Sequence, residues 1–154
     1  MIIGLVKNPY GAMLTARAWT AAEMIEKSIT NFYRRRNRTP RKKTYPAVVS
    51  ACCSEYKNNK VYIDFSHGMR AKFVDPRLAR VLQELGMIGE QPVKNSRSKN
   101  KIGHCAEQHA ANDLLNEQRG VTLDDIYFGL AFRPRTGEYI PPCENCTYVF
   151  PNLR

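Results

Sequence analysis
Along residues 13–36 the apolar side chains Ala18, Ala22, Ile25, Ile29 and Phe32 recur at steps of four, three, four and three. This is the stripe of an amphipathic helix, and Trp19 beside it is expected in the core. The stripe runs out in Arg34-Arg35-Arg36, and Thr39-Pro40 stops it, because a residue before proline avoids helical geometry. From Arg34 to Lys43 seven of ten residues are basic, too dense for a packed element. The segment reads as a basic helix end followed by an exposed loop.

The period then changes from helical to extended. Residues 47–53 and 60–65 are β-rich runs around Asn58-Asn59, a pair that tolerates positive φ, and they predict a hairpin. Asp75-Pro76 opens a short helix with Leu78, Val81, Leu82 and Leu85 inward, and Gly86 stops it. Residues 92–103 read as a polar, basic loop without periodicity; loops of that length are uncommon unless they bind something or are disordered. A second amphipathic helix is expected from about His104 to Arg119, ended by Gly120. Residues 125–132 are apolar on both faces and predict one central strand carrying Tyr127, Phe128 and Phe132. Residues 133–137 form a turn, and a short element begins at Pro142.

Composition places this pattern in one α/β domain over residues 1–154, with a basic N-terminal helix and loop at 12–45. With 154 residues, 43% of them hydrophobic, the chain can bury one core and has little room for a second. No apolar run approaches the ~20 residues of a membrane span. The opening Met-Ile-Ile-Gly-Leu-Val is too short for a signal peptide and lacks its basic start. A soluble monomer with no membrane partner is expected. The net charge of +10 is unevenly spread: +8 over residues 1–45, +1 over 46–92, +4 over 93–103 and −3 over 104–154. Two discrete basic blocks point to a polyanionic partner, nucleic acid before acidic membrane. The plainer reading is a solvated, solubilising face.

Five cysteines stand at 52, 53, 105, 143 and 146. An odd count without a secretory signal argues against a disulfide framework. Cys52 and Cys53 alternate faces on a strand, so at most one points inward, and neither reads as a ligand. Cys143-Glu144-Asn145-Cys146 follows Pro141-Pro142, and on a helix starting there the two sulfurs share a face. By itself this C-x-x-C is ambiguous between metal and redox use. Cys105 tips it towards metal. Residues two apart inside a helix diverge by about 200°, so Cys105 and Glu107 can share a site only if Cys105 is the cap. The helix N-terminus then faces the site and favours a thiolate. Three thiolates leave a tetrahedral zinc one open position, the catalytic pattern, where water ionises near neutral pH. Glu107, adjacent but not ligating, is placed to move protons.

Cys105-Ala106-Glu107 together with Pro142-Cys143-Glu144-Asn145-Cys146 resembles the zinc signature of the cytidine deaminase superfamily in a three-cysteine form. More narrowly, residues 103–110 (Gly-His-Cys-Ala-Glu-Gln-His-Ala) and Arg133-Pro134-Arg135-Thr136-Gly137 are similar to bacterial polymorphic-toxin deaminases, some of which act on cytosine in DNA and serve in base editing. The resemblance implies a three-layer α-β-α sandwich around a mixed β-sheet. It implies a hydrolase acting on the C–N bond of a cyclic amidine, with Zn2+ held by Cys105, Cys143 and Cys146 and with Glu107 as the catalytic proton carrier. It also implies a toxin effector setting, with a cognate immunity protein, secretion as part of a larger protein and action in a target-cell cytoplasm. One departure stands out: superfamily members continue with further strands after the Pro-Cys-x-x-Cys helix, whereas eight residues follow Cys146 here. The far sheet edge is expected to be short or supplied from upstream.

Around this core several residues are candidates for holding substrate. Lys94, Asn95, Arg97, Lys99, Asn100 and Lys101 lie in the loop that runs into the signature helix and could hold phosphates and a flipped nucleotide. His104 either touches substrate or is simply exposed, and His109 either faces the site or packs behind it. His67 reads as a surface residue, while Tyr139, Tyr148 and Phe150 could stack on bases. The favoured reading is cytosine deamination in nucleic acid, DNA before RNA, single- or double-stranded. The alternatives are a deaminase of free cytidine or another small amine, and a non-catalytic zinc-stabilised nucleic-acid-binding module.

Overall fold
The computed structural model of the protein describes residues 8–93 and 98–153. Its longest element is α1 (Gly11–Arg34), whose small buried side chains Ala18 and Ala22, with Leu14, let it lie close on a sheet. The stripe holds for three turns and then departs from expectation. Ile25 and Ile29 are half-buried and Phe32 is exposed, with Arg36 stacked on its ring. A helix of 24 residues is ~36 Å long and overruns the short strands beneath it. Trp19 is likewise 41% exposed, set edge-on to Phe132 rather than enclosed.

The hairpin forms as the alternation predicts. Strands β1 (Val49–Cys53) and β2 (Tyr62–Phe65) pair antiparallel from Val49 with Phe65 to Cys52 with Tyr62. Lys57, Asn58 and Asn59 turn the chain between them in left-handed conformation. Cys52 and Cys53 are both fully buried, against the expectation that one would face out. The reason is that both faces of β1 are covered. Ala51 and Cys53 pack under α1, and Cys52 joins the larger core on the opposite face.

The strand expected over 125–132 is split into β3 (Tyr127–Phe128) and β4 (Ala131–Phe132). Gly129 sits at the break. A Cβ there would stand 2.4 Å from the backbone nitrogen of Thr15 and 2.5 Å from the carbonyl carbon of Leu14. The helix backbone has taken the space in which a regular strand would project a side chain. Thr15 covers the gap by accepting the amide of Leu130 on its hydroxyl.

The sheet order is β2-β1-β4-β5, with β3 also on β1, and β5 is Tyr139–Ile140. Every pairing among the described residues is antiparallel, where a mixed sheet was expected. Two connections explain this. The crossover from β2 passes over β1 and lands on its far side, and β4 and β5 are joined by a tight turn that permits only antiparallel pairing. The outer edge is thus supplied by a segment upstream of Cys143, and one 3-10 turn (Pro151–Leu153) follows the last helix.

Helices α2 (Pro76–Leu85), α3 (Ala106–Glu117) and α4 (Glu144–Val149) cover the face opposite α1. The layers are therefore helix, sheet, helix. Asp75 caps α2 by accepting the Arg77 amide, and Gly86 ends it at φ +147°. Arg77 then braces the end of α3. Its guanidinium pairs with Asp75 and donates to the carbonyls of Leu115, Gln118, Arg119 and Val121, groups that a helix C-terminus leaves without partners.

Candidate metal centre and its cavity
The signature cysteines come from two helix starts. Cys105 is the N-cap of α3 with extended φ/ψ of −70° and 143°, so the helical path begins only after it. Cys143 is the N-cap of α4 and Cys146 lies in its first turn. The Sγ atoms of Cys105 and Cys143 are 3.2 Å apart, and those of Cys143 and Cys146 are 3.8 Å apart. All three sulfurs lie within 4.8 Å of one another, and each cysteine is free. Together they could hold a metal ion.

The three thiols perturb one another strongly. Hydrogen bonds from Cys105 and Cys146 hold the Cys143 thiol far below its usual range. The hydrogen bond to Cys143 pushes Cys105 up, and hydrogen bonds to Cys105 and Cys143 with burial push Cys146 up. A bound cation would let all three ionise. Glu107 sits in the first turn of α3, only 6% exposed, with its Oε2 3.9 Å from the Cys146 sulfur. Burial pushes its carboxyl up to about 7.

Sequence periodicity describes α3 as amphipathic, but the helix is buried on most of its surface, including Glu107, Gln108, His109 and Asn112. Such groups require partners, and the partners are loops. Gln108 accepts the Gly103 amide and donates to the Cys146 sulfur. Asn112 accepts the Asp75 amide and donates to the Phe73 carbonyl. His109 donates from Nε2 to the His67 carbonyl at 2.7 Å. These bonds fix the polar segments on either side of the cysteine cluster.

A second group of ligand-type side chains, Asp64, His67 and His109, also lies within 4.8 Å and could hold a metal ion by composition. In the arrangement present, the two imidazoles are stacked with centroids 3.6 Å apart. The nitrogen that His109 donates to a carbonyl offers no lone pair to a cation. His109 therefore acts here as a tie between α3 and the segment after β2, which answers the question of its role in favour of packing. Behind it, burial and a hydrogen bond with Asp64 push the Asp113 carboxyl up to about 7.

Cys105, Glu107 and Cys143 line a cavity of about 790 Å³. Its wall brings in Ile25 and Ile29 of α1, the half-buried His104, and Asn100, whose carbonyl accepts from Asn145. Burial and the charge of Lys101 hold His104 below the usual imidazole range. Of the residues expected near substrate, His104, Asn100, Lys99 and Lys101 are at the cavity. Lys94, Asn95 and Arg97 lie outside the described residues. Three aromatic expectations change. Tyr148 is turned away, its hydroxyl donating to Glu84. Phe150 is fully buried against Phe128. Tyr139 opens on a smaller cavity of about 360 Å³ that reaches Glu107 from another side.

Sequence reasoning missed Tyr45 and Phe65 and did not place Lys43 of the first basic block or the exposed His67 at the site; all four line the main cavity. Phe65 and His67 follow one another in space at the end of β2, their rings 4.9 Å apart. The signal available was that β2 ends in an aromatic and a histidine on the side where β1 begins. Nothing local to those residues says that the start of α3 lies beside them. No protein-family model matches the chain, no curated protein matches it, and no solved structure matches its fold.

Proposed function
We propose that the protein is a zinc-dependent deaminase that converts cytosine to uracil in nucleic acid, DNA in preference to RNA. The observation that carries this reading is the convergence of three thiols, from positions 105, 143 and 146, beside a buried carboxyl at 107, with Cys105, Cys143 and Glu107 lining one cavity and Cys146 buried behind them. Thiolates ~2.3 Å from a tetrahedral zinc stand ~3.8 Å apart, and the Cys143–Cys146 spacing of 3.8 Å already has that value. The Cys105–Cys143 pair at 3.2 Å needs only to open slightly as its thiols ionise. Cys105, Cys143 and Cys146 would hold the ion.

When bound, zinc supplies a Lewis acid that lowers the pKa of water at its open position. The remaining work falls to residues of the chain. Cytosine enters with C4 towards the cysteine cluster and its faces against the apolar cavity wall. Water adds at C4, and Glu107 takes a proton from it and gives one to ring N3. A second transfer through Glu107 reaches the exocyclic nitrogen, the C–N bond breaks and ammonia leaves, so that cytosine and water become uracil and ammonia. Gln108 keeps the geometry by bonding Gly103 on one side and the Cys146 sulfur on the other. The toxin setting and an immunity partner follow from the motif resemblance, not from this geometry.

Replacing Glu107 with Ala should lower C-to-U conversion by roughly 10²–10⁴-fold, read by sequencing treated DNA, while metal analysis still finds one zinc per chain. Undiminished conversion in that variant would sink the assignment. Intact folding with bound zinc and no uracil formed from any nucleic acid would favour a non-catalytic binding module instead.

A further inference from the structure
We infer that the main cavity takes a single-stranded polynucleotide, with one base at Glu107 and neighbouring bases stacked on rings at the cavity wall. The inference rests on the deaminase reading for its chemistry but on the cavity alone for its ligand.

Three observations converge. The first is size: about 790 Å³ lies in the upper part of the ~300–1,000 Å³ that holds drug-sized ligands, more than one pyrimidine needs. The second is charge. The two basic blocks, far apart along the chain, meet here, Lys43 from one and Lys99 with Lys101 from the other. All three lysines are exposed, and none is ion-paired to a described residue. A free nucleoside offers them nothing, whereas a phosphodiester strand reaching from one block to the other meets both. The third is shape. Tyr45, Phe65 and His104 set three planar rings in the same lining, beside His67, which is already stacked on His109. Rings combined with a basic groove suit unpaired bases, whose faces are open to stacking. In a duplex those faces are hidden, and the target base must first be flipped out at a cost.

The test measures binding and turnover separately on the zinc-loaded protein. Fluorescence anisotropy is run with labelled single-stranded DNA, single-stranded RNA and the matching duplexes, and conversion is measured on the same DNA and RNA and on free cytidine. Single strands should be bound and turned over at least about tenfold better than duplexes. Phe65→Ala should raise KM for the strand by about tenfold. The combined variant Lys43→Gln, Lys99→Gln, Lys101→Gln should flatten the log–log salt dependence of binding by about two units, at ~0.7 per phosphate contact. An unchanged melting curve shows that this variant is folded. Tighter binding of either single strand than of its duplex supports the inference, and the stronger of the two names the sugar. Equal binding of duplex and single strand, turnover of free cytidine matching that of the strand, or an unchanged salt slope overturns it. A strand that binds with this ring and lysine dependence but is never deaminated overturns the deaminase reading and leaves this inference standing.

Discussion

Asp113 and Asp64 illustrate how a single pair of side chains makes stability depend on pH. Asp113 reaches solvent, yet its carboxyl is held up to about 7 by burial and by a hydrogen bond with Asp64. A free aspartate titrates near ~3.9. The folded state therefore binds this proton more tightly than the unfolded chain, and the associated stability is lost as pH rises from about 4 through 7. Asp113→Asn removes the titration. Its unfolding free energy relative to wild type should climb between pH 5 and pH 8, reaching a gain of ~1 kcal/mol at the alkaline end after discounting for solvent screening. A difference that stays constant across that range would show that the Asp113 carboxyl is not held up in the folded state. His109 stands one turn before Asp113 on the same face of α3 and Glu107 lies on another, so residue-scale chemistry is concentrated on a helix whose polar side chains are largely buried.

At the scale of elements, the position of α1 matters most. It packs on one face of the sheet through Leu14, Ala18 and Ala22, and its later turn supplies Ile25 and Ile29 to the cavity. The seat of that packing is Gly129, where helix backbone meets strand backbone without an intervening side chain. Gly129→Ala would place a methyl group inside van der Waals contact with the Leu14–Thr15 peptide. The variant should lose about 3 kcal/mol of stability, read by denaturant or thermal unfolding. It should also loosen the cavity wall, seen as faster amide exchange in α1. A loss below about 0.5 kcal/mol would mean that α1 is free to lift from the sheet, and the cavity could not then depend on it.

For the molecule as a whole, the cysteine cluster joins the starts of α3 and α4, which also meet through the core and through the Asn145–Asn100 hydrogen bond. Cys105 follows the second basic loop, while Cys143 and Cys146 follow β5 and lie against α2 through the apolar cluster. Bound metal should therefore act as a fastener for the face opposite α1. Free ion at a hundredfold excess over Kd adds ~2.7 kcal/mol, which in a domain of this size corresponds to roughly 5–10 °C in melting temperature. Chelation should remove that increment and zinc should restore it. A melting temperature indifferent to chelator and zinc would leave the three thiols as packing residues. No helix among the described residues is long and apolar enough to cross a membrane.

Much of this was open to inspection in the linear chain. Repeating steps of three and four mark α1, Asp75-Pro76 marks the start of α2, and Cys105 two residues before Glu107 requires a cap, because a helix turns ~100° per residue. These features depend on neighbours within one or two turns, and local spacing determines them. Tertiary structure alone decided where local rules met distant backbone. Gly129 splits a strand because α1 lies on it, Cys52 and Cys53 are both buried because two helix layers cover β1, and Tyr148 turns from the cavity to Glu84. The same holds for the cavity itself. Lys43 and Phe65 reach the cysteine cluster only through strand pairing that joins β1 to β2, and through His67 and His104, whose backbones bond across 37 residues of chain. Residue spacing specifies chemistry within a few ångströms of one backbone segment, while the shape of a ligand site depends on which segments are packed together.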